Sequence, residues 1–354
     1  MRPRIALVAP SPEILGGQSV QARAVADGLR GDGYDVAYVR IDPRFPPGLG
    51  WLRRRRYART VLNQALYIPS LLGLRRADVV HIFSASYWSF LLAPVPAMLI
   101  ARALGKRIVL NYHSGEAEDH LARWGRLVHP WLRLADEIVV PSEYLQRVFA
   151  QHGYRTRVVP NVIDLGRFRY RDRTPLRARL LSTRNLEPYY RVDHVLEAFA
   201  LLKVRYPEAS LAVAGFGSLE ARLRERAASL GINGINFLGR VDPAAMPALC
   251  DASDIFVNAS VVDNQPLSVL EAFSAGLPVV STTTGGIAAL VRDGVTGLSV
   301  PVGDPSAMAK AVTTLLEDPE GAQRMARRAR HEVEAYGWSR VRDRWAAVYS
   351  GLAA

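Results

Sequence analysis

Two doubly wound α/β domains are what the chain predicts, on three observations. Short continuous runs rich in β-branched residues recur along it, segments of helical length separate them, and the series starts afresh after Pro160. Such runs read as strands of a parallel sheet, because a strand covered by helices on both faces has no polar face to alternate with. The length of 354 residues agrees, since one domain per about 150 residues gives a prior of two.

The first series places strands at Ile5 to Ala9, Val36 to Ile41, Val79 to Phe83, Ile108 to Tyr112 and Ile138 to Val140. The second places them at Arg179 to Ser182, Leu211 to Ala214, Ile235 to Leu238, Ile255 to Asn258 and Pro278 to Ser281. Between the series, Pro160 to Pro175 has little periodicity and reads as the hinge, so the domains are expected at 1–165 and 166–336. The segment from Ala322 onward reads as helical with an interruption at Gly337. Its last part, about 337–354, is expected to return to the first domain.

Composition narrows the function classes. A single cysteine, Cys250, excludes an internal disulfide and a CxxC metal or redox motif. The longest apolar stretch, Phe90 to Ala101, is twelve residues and holds Pro94 and Pro96, against the roughly 20 that a spanning helix needs. The first strand begins too near Met1 for a signal peptide, which predicts a cytoplasmic chain. The net charge of +12 is uneven, with 22 basic and 13 acidic residues in 1–165. Nine arginines lie between Arg40 and Arg76 against the single acid Asp42, interleaved with Phe45, Trp51, Leu52 and Tyr57. Such a patch suits an anionic membrane surface; a solvated helical face at Arg53 to Arg56 is the plainer reading. No RNP, KH, zinc-finger or helix-turn-helix pattern accompanies it, so a nucleic-acid partner is not expected.

Three places carry candidate chemistry. Gly16 and Gly17 stand between the first strand and a helix expected from about Ser19 to Arg30, where backbone amides can approach a phosphate or sugar; a tight turn is the equal alternative. No GxGxxG follows the strand, which counts against a nicotinamide or flavin enzyme. In the second domain, Gly215-Phe216-Gly217 follows a strand, where a parallel sheet presents its ligand loops. The strongest element is Asp263-Asn264-Gln265-Pro266-Leu267-Ser268-Val269-Leu270-Glu271. There Glu271 falls on an apolar helix and needs a partner such as a ribose diol, with Ser268 one turn away. Amides around Leu267 and Ser268 are placed to hold a diphosphate. His113 after its strand reads as a contact or as a loop histidine, and His81 as a satisfied strand-end residue. Glu116, Glu118 and Asp119 read as solvated loop charge, and Arg184 as a phosphate ligand or a partner of Glu187 or of an acid across the cleft.

In order and spacing these motifs resemble the retaining glycosyltransferases of family 4. To them add Val140-Pro141-Ser142, Pro160-Asn161-Val162-Ile163-Asp164, Leu196-Glu197-Ala198-Phe199, Thr284-Gly285-Gly286 and Asp293-Gly294-Val295-Thr296-Gly297. The resemblance covers nearly the whole chain. It implies a GT-B fold, two Rossmann-like domains facing across a cleft, with the acceptor bound mainly by the first and a UDP- or GDP-linked sugar by the second. It further implies that Glu271 binds the ribose, that Arg184 and the neighbouring helix amides neutralise the diphosphate, and that His113 touches the sugar near the reacting carbon. Base contacts are expected near Gly217 and Arg240. No cofactor is implied, and the chain has no DxD motif to suggest a metal.

Three positions depart from the family pattern. Asp263 stands where the family has a glutamate, Asn264-Gln265-Pro266 replaces Gly-Phe-Gly, and the lysine usual after Arg184 is absent, leaving Arg191 as its substitute. The expected function is therefore transfer of a sugar to a saccharide or lipid-linked acceptor at the inner face of a bacterial membrane, in envelope polysaccharide synthesis. The alternative is a nucleotide-sugar-binding protein without transfer activity.

Overall fold

A computed structural model describes residues 2–13, 16–48, 50–51 and 55–351. Leu52, Arg53 and Arg54 of the basic run lie outside the described residues. The chain divides into two compact units, one of Met1–Val162 with Trp338–Ala354 and one of Ile163–Gly337.

In the first unit, strands β1 (Ile5–Ala9), β2 (Val36–Arg40), β3 (Val79–Ser84), β4 (Arg107–Tyr112), β5 (Glu137–Val140) and β6 (Arg157–Val158) form one sheet in the order β2-β1-β3-β4-β5-β6. The second holds β7 (Arg179–Ser182), β8 (Ser210–Ala214), β9 (Ile235–Gly239), β10 (Ile255–Asn258), β11 (Val279–Thr282) and β12 (Leu298–Val300), in the order β12-β11-β10-β7-β8-β9. Every pairing between these strands is parallel. The short strands β6 and β12 escape the sequence pattern because two or three residues are too few to show a period. Intervening helices that position the sites are α1 (Gly17–Gly31), α2 (Arg56–Ser70), α3 (Ala117–Arg123), α4 (Val192–Arg205), α5 (Leu267–Ala275) and α6 (Trp338–Ser350).

The unbroken apolar strands follow from helices on both faces. Along β1, Ala6 and Val8 join one core layer, while Ile5, Leu7 and Ala9 join the opposite one. In the second unit Leu180 and Leu181 divide the same way. Each sheet has one place where successive connections leave in opposite directions: between β1 and β3, and between β7 and β10. Open α/β sheets bind ligands outside the strand C-termini at such a point.

Two sequence expectations shift. Helix α1 begins at Gly17 rather than Ser19, with the extended Gly16 before it and no side-chain cap. Most of the segment expected to be a hinge is body of the second unit. Arg171 pairs with Asp251 and Asp254, and Arg173 is buried, donating to the carbonyls of Arg171, Cys250 and Ala275.

Helix α6 covers one face of the first sheet. Its Val341, Trp345 and Val348 pack with Leu7, Phe83 and Val109, and the indole lies against His81 at 4.7 Å between ring centres. Tyr349 Oη and Asn111 Nδ2 stand 2.8 and 3.1 Å from the two His81 ring nitrogens. Burial holds this imidazole neutral, with its pKa pushed down to about 3. Truncating Trp345→Ala is therefore expected to cost about 3 to 5 kcal/mol of unfolding free energy in urea denaturation. A cost below about 1 kcal/mol, within the range of surface changes, would show that α6 adds little to this core.

Candidate active site

The second unit gathers its polar groups at the switch point. Arg184 leaves the end of β7, and the loop after β10 carries Asp263, so strand order brings together residues 79 positions apart. The Arg184 side chain is buried, with the whole residue 8% exposed. Its Nη2 donates to Asp263 Oδ2, and Nη1 donates to Ser268 Oγ at 2.9 Å. Its guanidinium carbon lies 4.1 Å from the centre of the Tyr190 ring, a cation–π contact. The remaining Nε is buried without a hydrogen-bond partner.

Asp263 accepts the Asn264 N–H at 2.9 Å. Its pKa is raised because burial outweighs the opposing pull of Arg184, the Asn264 amide and the Ser260 hydroxyl. Pro266 precedes α5, and the amides of Val269 and Leu270 reach its carbonyl at 3.2 and 3.4 Å. The first-turn amides of Leu267 and Ser268 have no acceptor within the helix, so an anion-binding end opens beside Arg184.

Glu271 lies one turn further along α5 than Ser268 and is mostly buried. Burial pushes its carboxyl up to about 7, although Arg167 and Arg184 draw it down. Arg167 is a charge that sequence reasoning missed, because it comes from the segment taken as a hinge.

Glycine here serves close approach. A Cβ on Gly215 would stand 2.0 Å from the Arg184 carbonyl oxygen, one on Gly217 2.4 Å from that of Leu186, and one on Gly286 2.0 Å from that of Asn264. The first two let the loop after β8 lie on the segment after β7, with Leu186 N–H donating to Phe216 at 3.0 Å. Gly286 does the same for the Asp263 loop. Arg240 stacks on Phe216, 5.0 Å from its ring centre. Asn264 and Gln265 are buried beside Asp263.

Two expected contacts fall elsewhere. Arg191, in the left-handed region at φ 43°, is forked onto Asp193 at 3.0 and 2.9 Å and touches His194, rather than joining the Arg184 cluster. Glu187 accepts from the Ser218 amide and hydroxyl at 2.9 and 2.5 Å, so it does not partner Arg184. Tyr190 and Ser260, which do belong to the cluster, carried no signal beyond their closeness in sequence to Arg191 and Asp263.

In the first unit the candidates line the C-terminal edge of the sheet. Gly16 and Gly17 open α1, and a Cβ on Gly17 would meet nothing within 4 Å, so packing does not explain that glycine. Gln18 Nε2 donates to the Ser84 carbonyl at 2.9 Å, and so does the His113 amide at 3.0 Å, which ties the start of α1 to the ends of β3 and β4. The His113 ring stacks on Phe83 at 5.1 Å. Burial lowers its pKa to about 4, and its Nε2 is buried without a partner. The imidazole is neutral and can offer one nitrogen to a ligand.

Compared with solved structures, HepE from Anabaena, determined with UDP-glucose, has a TM-score of 0.78 over 99% of this chain and 100% of that one at 18% identity. Sucrose-phosphate synthase from Thermosynechococcus elongatus also gives 0.78, over 99% of each chain at 20% identity. These likenesses define the GT-B fold of glycosyltransferases. Residues 15–167 match the family model described as Glycosyltransferase Family 4, and residues 173–332 that of glycosyl transferases group 1. A glycogen synthase of Mycobacterium tuberculosis H37Rv is 31% identical over 290 residues, 77% of this chain and 69% of that protein. A D-inositol 3-phosphate glycosyltransferase of Catenulispora acidiphila is 32% identical over 317 residues, 78% and 74% of the two chains. The chain belongs to glycosyltransferase family 4.

The raised Glu271 carboxyl has a measurable signature. A folded-state value of about 7 against an ordinary 4.5 means that the folded protein holds this proton more tightly. Its stabilising contribution is full below pH 4.5 and is lost as the pH rises through 7. Relative to wild type, Glu271→Gln should gain about 2 kcal/mol in urea unfolding between about pH 5 and pH 8. An advantage that does not change with pH would place the titration elsewhere.

Proposed function

We propose that the protein is a retaining, metal-independent transferase that moves a sugar from a UDP- or GDP-linked donor to a saccharide or lipid-linked acceptor. The observation that carries this reading is the Arg184 guanidinium, buried at the β7/β10 switch point beside the open amides of α5 and close enough to Glu271 to act on its charge. As the glycosidic bond breaks, negative charge grows on the diphosphate. Arg184 and the amides of Leu267 and Ser268 are donors already in place to receive it, which lowers the barrier. Glu271 accepts hydrogen bonds from the ribose hydroxyls, and neutral His113 contacts the sugar. The acceptor attacks the face that the leaving group vacates, passing its proton to a phosphate oxygen. UDP is favoured because HepE, of the same fold, was solved with UDP-glucose.

Binding without transfer is the second reading. It is favoured by Asp263 occupying Arg184 and by Arg191 being held on Asp193. Thermal unfolding with UDP, GDP, ADP, dTDP or CDP tests the binding that both readings require, and release of free nucleotide from the matching nucleotide sugar separates them. One of the first two should stabilise the wild type by about 2.7 kcal/mol at 100 times its dissociation constant, and neither should stabilise Glu271→Ala or Arg184→Ala. No response to any nucleotide would overturn both readings, while binding without donor turnover would select the second.

We also place the acceptor side at the cytoplasmic face of a membrane. Among the described residues no helix is long and apolar enough to cross one. Helix α2 and the turn after it nevertheless leave Tyr57 83% and Val61 70% exposed, with Ile68 and Leu72 also exposed. Arg55, Arg59, Arg75 and Arg76 surround them in sequence and are exposed, whereas Arg40 and Arg44 are taken up by Glu13. This face should bring the protein down with phosphatidylglycerol vesicles. The triple variant Arg59→Glu, Arg75→Glu, Arg76→Glu should bind on the order of 100-fold more weakly, each arginine contributing about 1 kcal/mol. Unchanged sedimentation would exclude the surface, and preference for RNA over vesicles would reassign it.

A further inference from the structure

At the end of β3 the backbone does something that aromatic side chains seldom permit. Tyr87 sits in the left-handed region at φ 56°, and a bulky residue there persists only when its surroundings hold it. Its hydroxyl donates to Asp119 Oδ2 at 2.6 Å, and its ring is edge-on to His120 at 5.1 Å and to Trp124 at 5.5 Å. With Tyr87 held in this way, its neighbour Trp88 is left 65% exposed. The Trp88 ring meets Trp124 at 89° and 5.4 Å, making an aromatic corner.

Carboxylates stand beside that corner. Asp119 also takes Arg123 Nε at 2.9 Å, and Glu116 feels both burial and the charge of Asp119, which raise its pKa. The corner shares the sheet edge with His113, whose amide is bound to the Ser84 carbonyl at the end of β3.

We infer that Tyr87, Trp88 and Trp124 form a stacking platform for a pyranose ring of an uncharged saccharide acceptor. A pyranose presents a C–H face that lies on an indole and a rim of hydroxyls that donate to carboxylates, so an aromatic corner beside Asp119 and Glu116 fits both. Asp119 is already paired with Arg123, so repulsion of a phosphorylated sugar falls to Glu116. The inference rests on the transferase reading and names the acceptor class for it.

The test uses fluorotryptophan-labelled full-length protein and fluorine NMR, with Trp88 and Trp124 signals assigned through Trp88→Phe and Trp124→Phe. Maltose, cellobiose and mannobiose are titrated singly, with glucose phosphate as the charged counterpart and UDP as the donor-site control. At least one neutral disaccharide should move both signals. Trp88→Ala should weaken that sugar about tenfold and leave UDP affinity unchanged. The platform is overturned if no neutral disaccharide moves the two signals, if Trp88→Ala binds the sugar as wild type does, or if glucose phosphate acts at lower concentration than the neutral sugars. Sugar-dependent shifts in a protein that binds no nucleotide would uphold the platform while ending the transferase reading.

Discussion

A buried guanidinium organises the second unit. Arg184 is held by a carboxylate, a hydroxyl and an aromatic face, and these come from two stretches of chain: the loop after β10 as it enters the first turn of α5, and the segment after β7. Burying one charge commits the surroundings to supply its partners, because an unpaired ion in such a place is strongly destabilising. The close approaches at Gly215 and Gly286 answer that demand, drawing the neighbouring loops in until no side chain fits between them. The anion-ready helix end and the shifted carboxyl of Glu271 lie around this knot.

The first unit buries imidazoles instead of a guanidinium. His81 lies on β3, His113 just beyond β4 and His120 within α3, and burial lowers all three pKa values to about 4 or below. None of the three carries a charge near neutrality. His113 and His120 each keep a buried ring nitrogen without a partner, whereas both nitrogens of His81 are engaged within the core. The same residue type is therefore fully engaged at one position and keeps an unpaired ring nitrogen at two others.

Much of this was legible in the chain. Strands such as Ile5–Ala9 and Ile255–Asn258 read correctly because unbroken β-branched runs have few other uses in a globular protein. Asp263, Ser268 and Glu271 were legible as a group because an acid on an apolar helix asks for an explanation. What stayed hidden was pairing across distance. Nothing local in Tyr190 says that it lies over Arg184, and Arg191 looked available because Asp193, two residues on, carries no mark of a clamp. The segment from Ile163 to Arg173 resembled a linker because Arg171 anchors on carboxylates some 80 residues away and Arg173 on backbone carbonyls, pairings that no local sequence pattern displays.

The place of α6 in the chain carries a consequence for synthesis. The face of the first sheet that holds Leu7, Phe83 and Val109 is completed by Val341, Trp345 and Val348. A ribosome makes those residues only after the whole of the second unit has been made. Until then the first unit waits with an apolar patch open and must be kept from other nascent chains, although its own sheet was translated first. The second unit is one continuous stretch, Ile163–Gly337, and waits for no later segment. Order of translation and order of completion are thus reversed, and a chain cut short near its end would injure the unit made earliest.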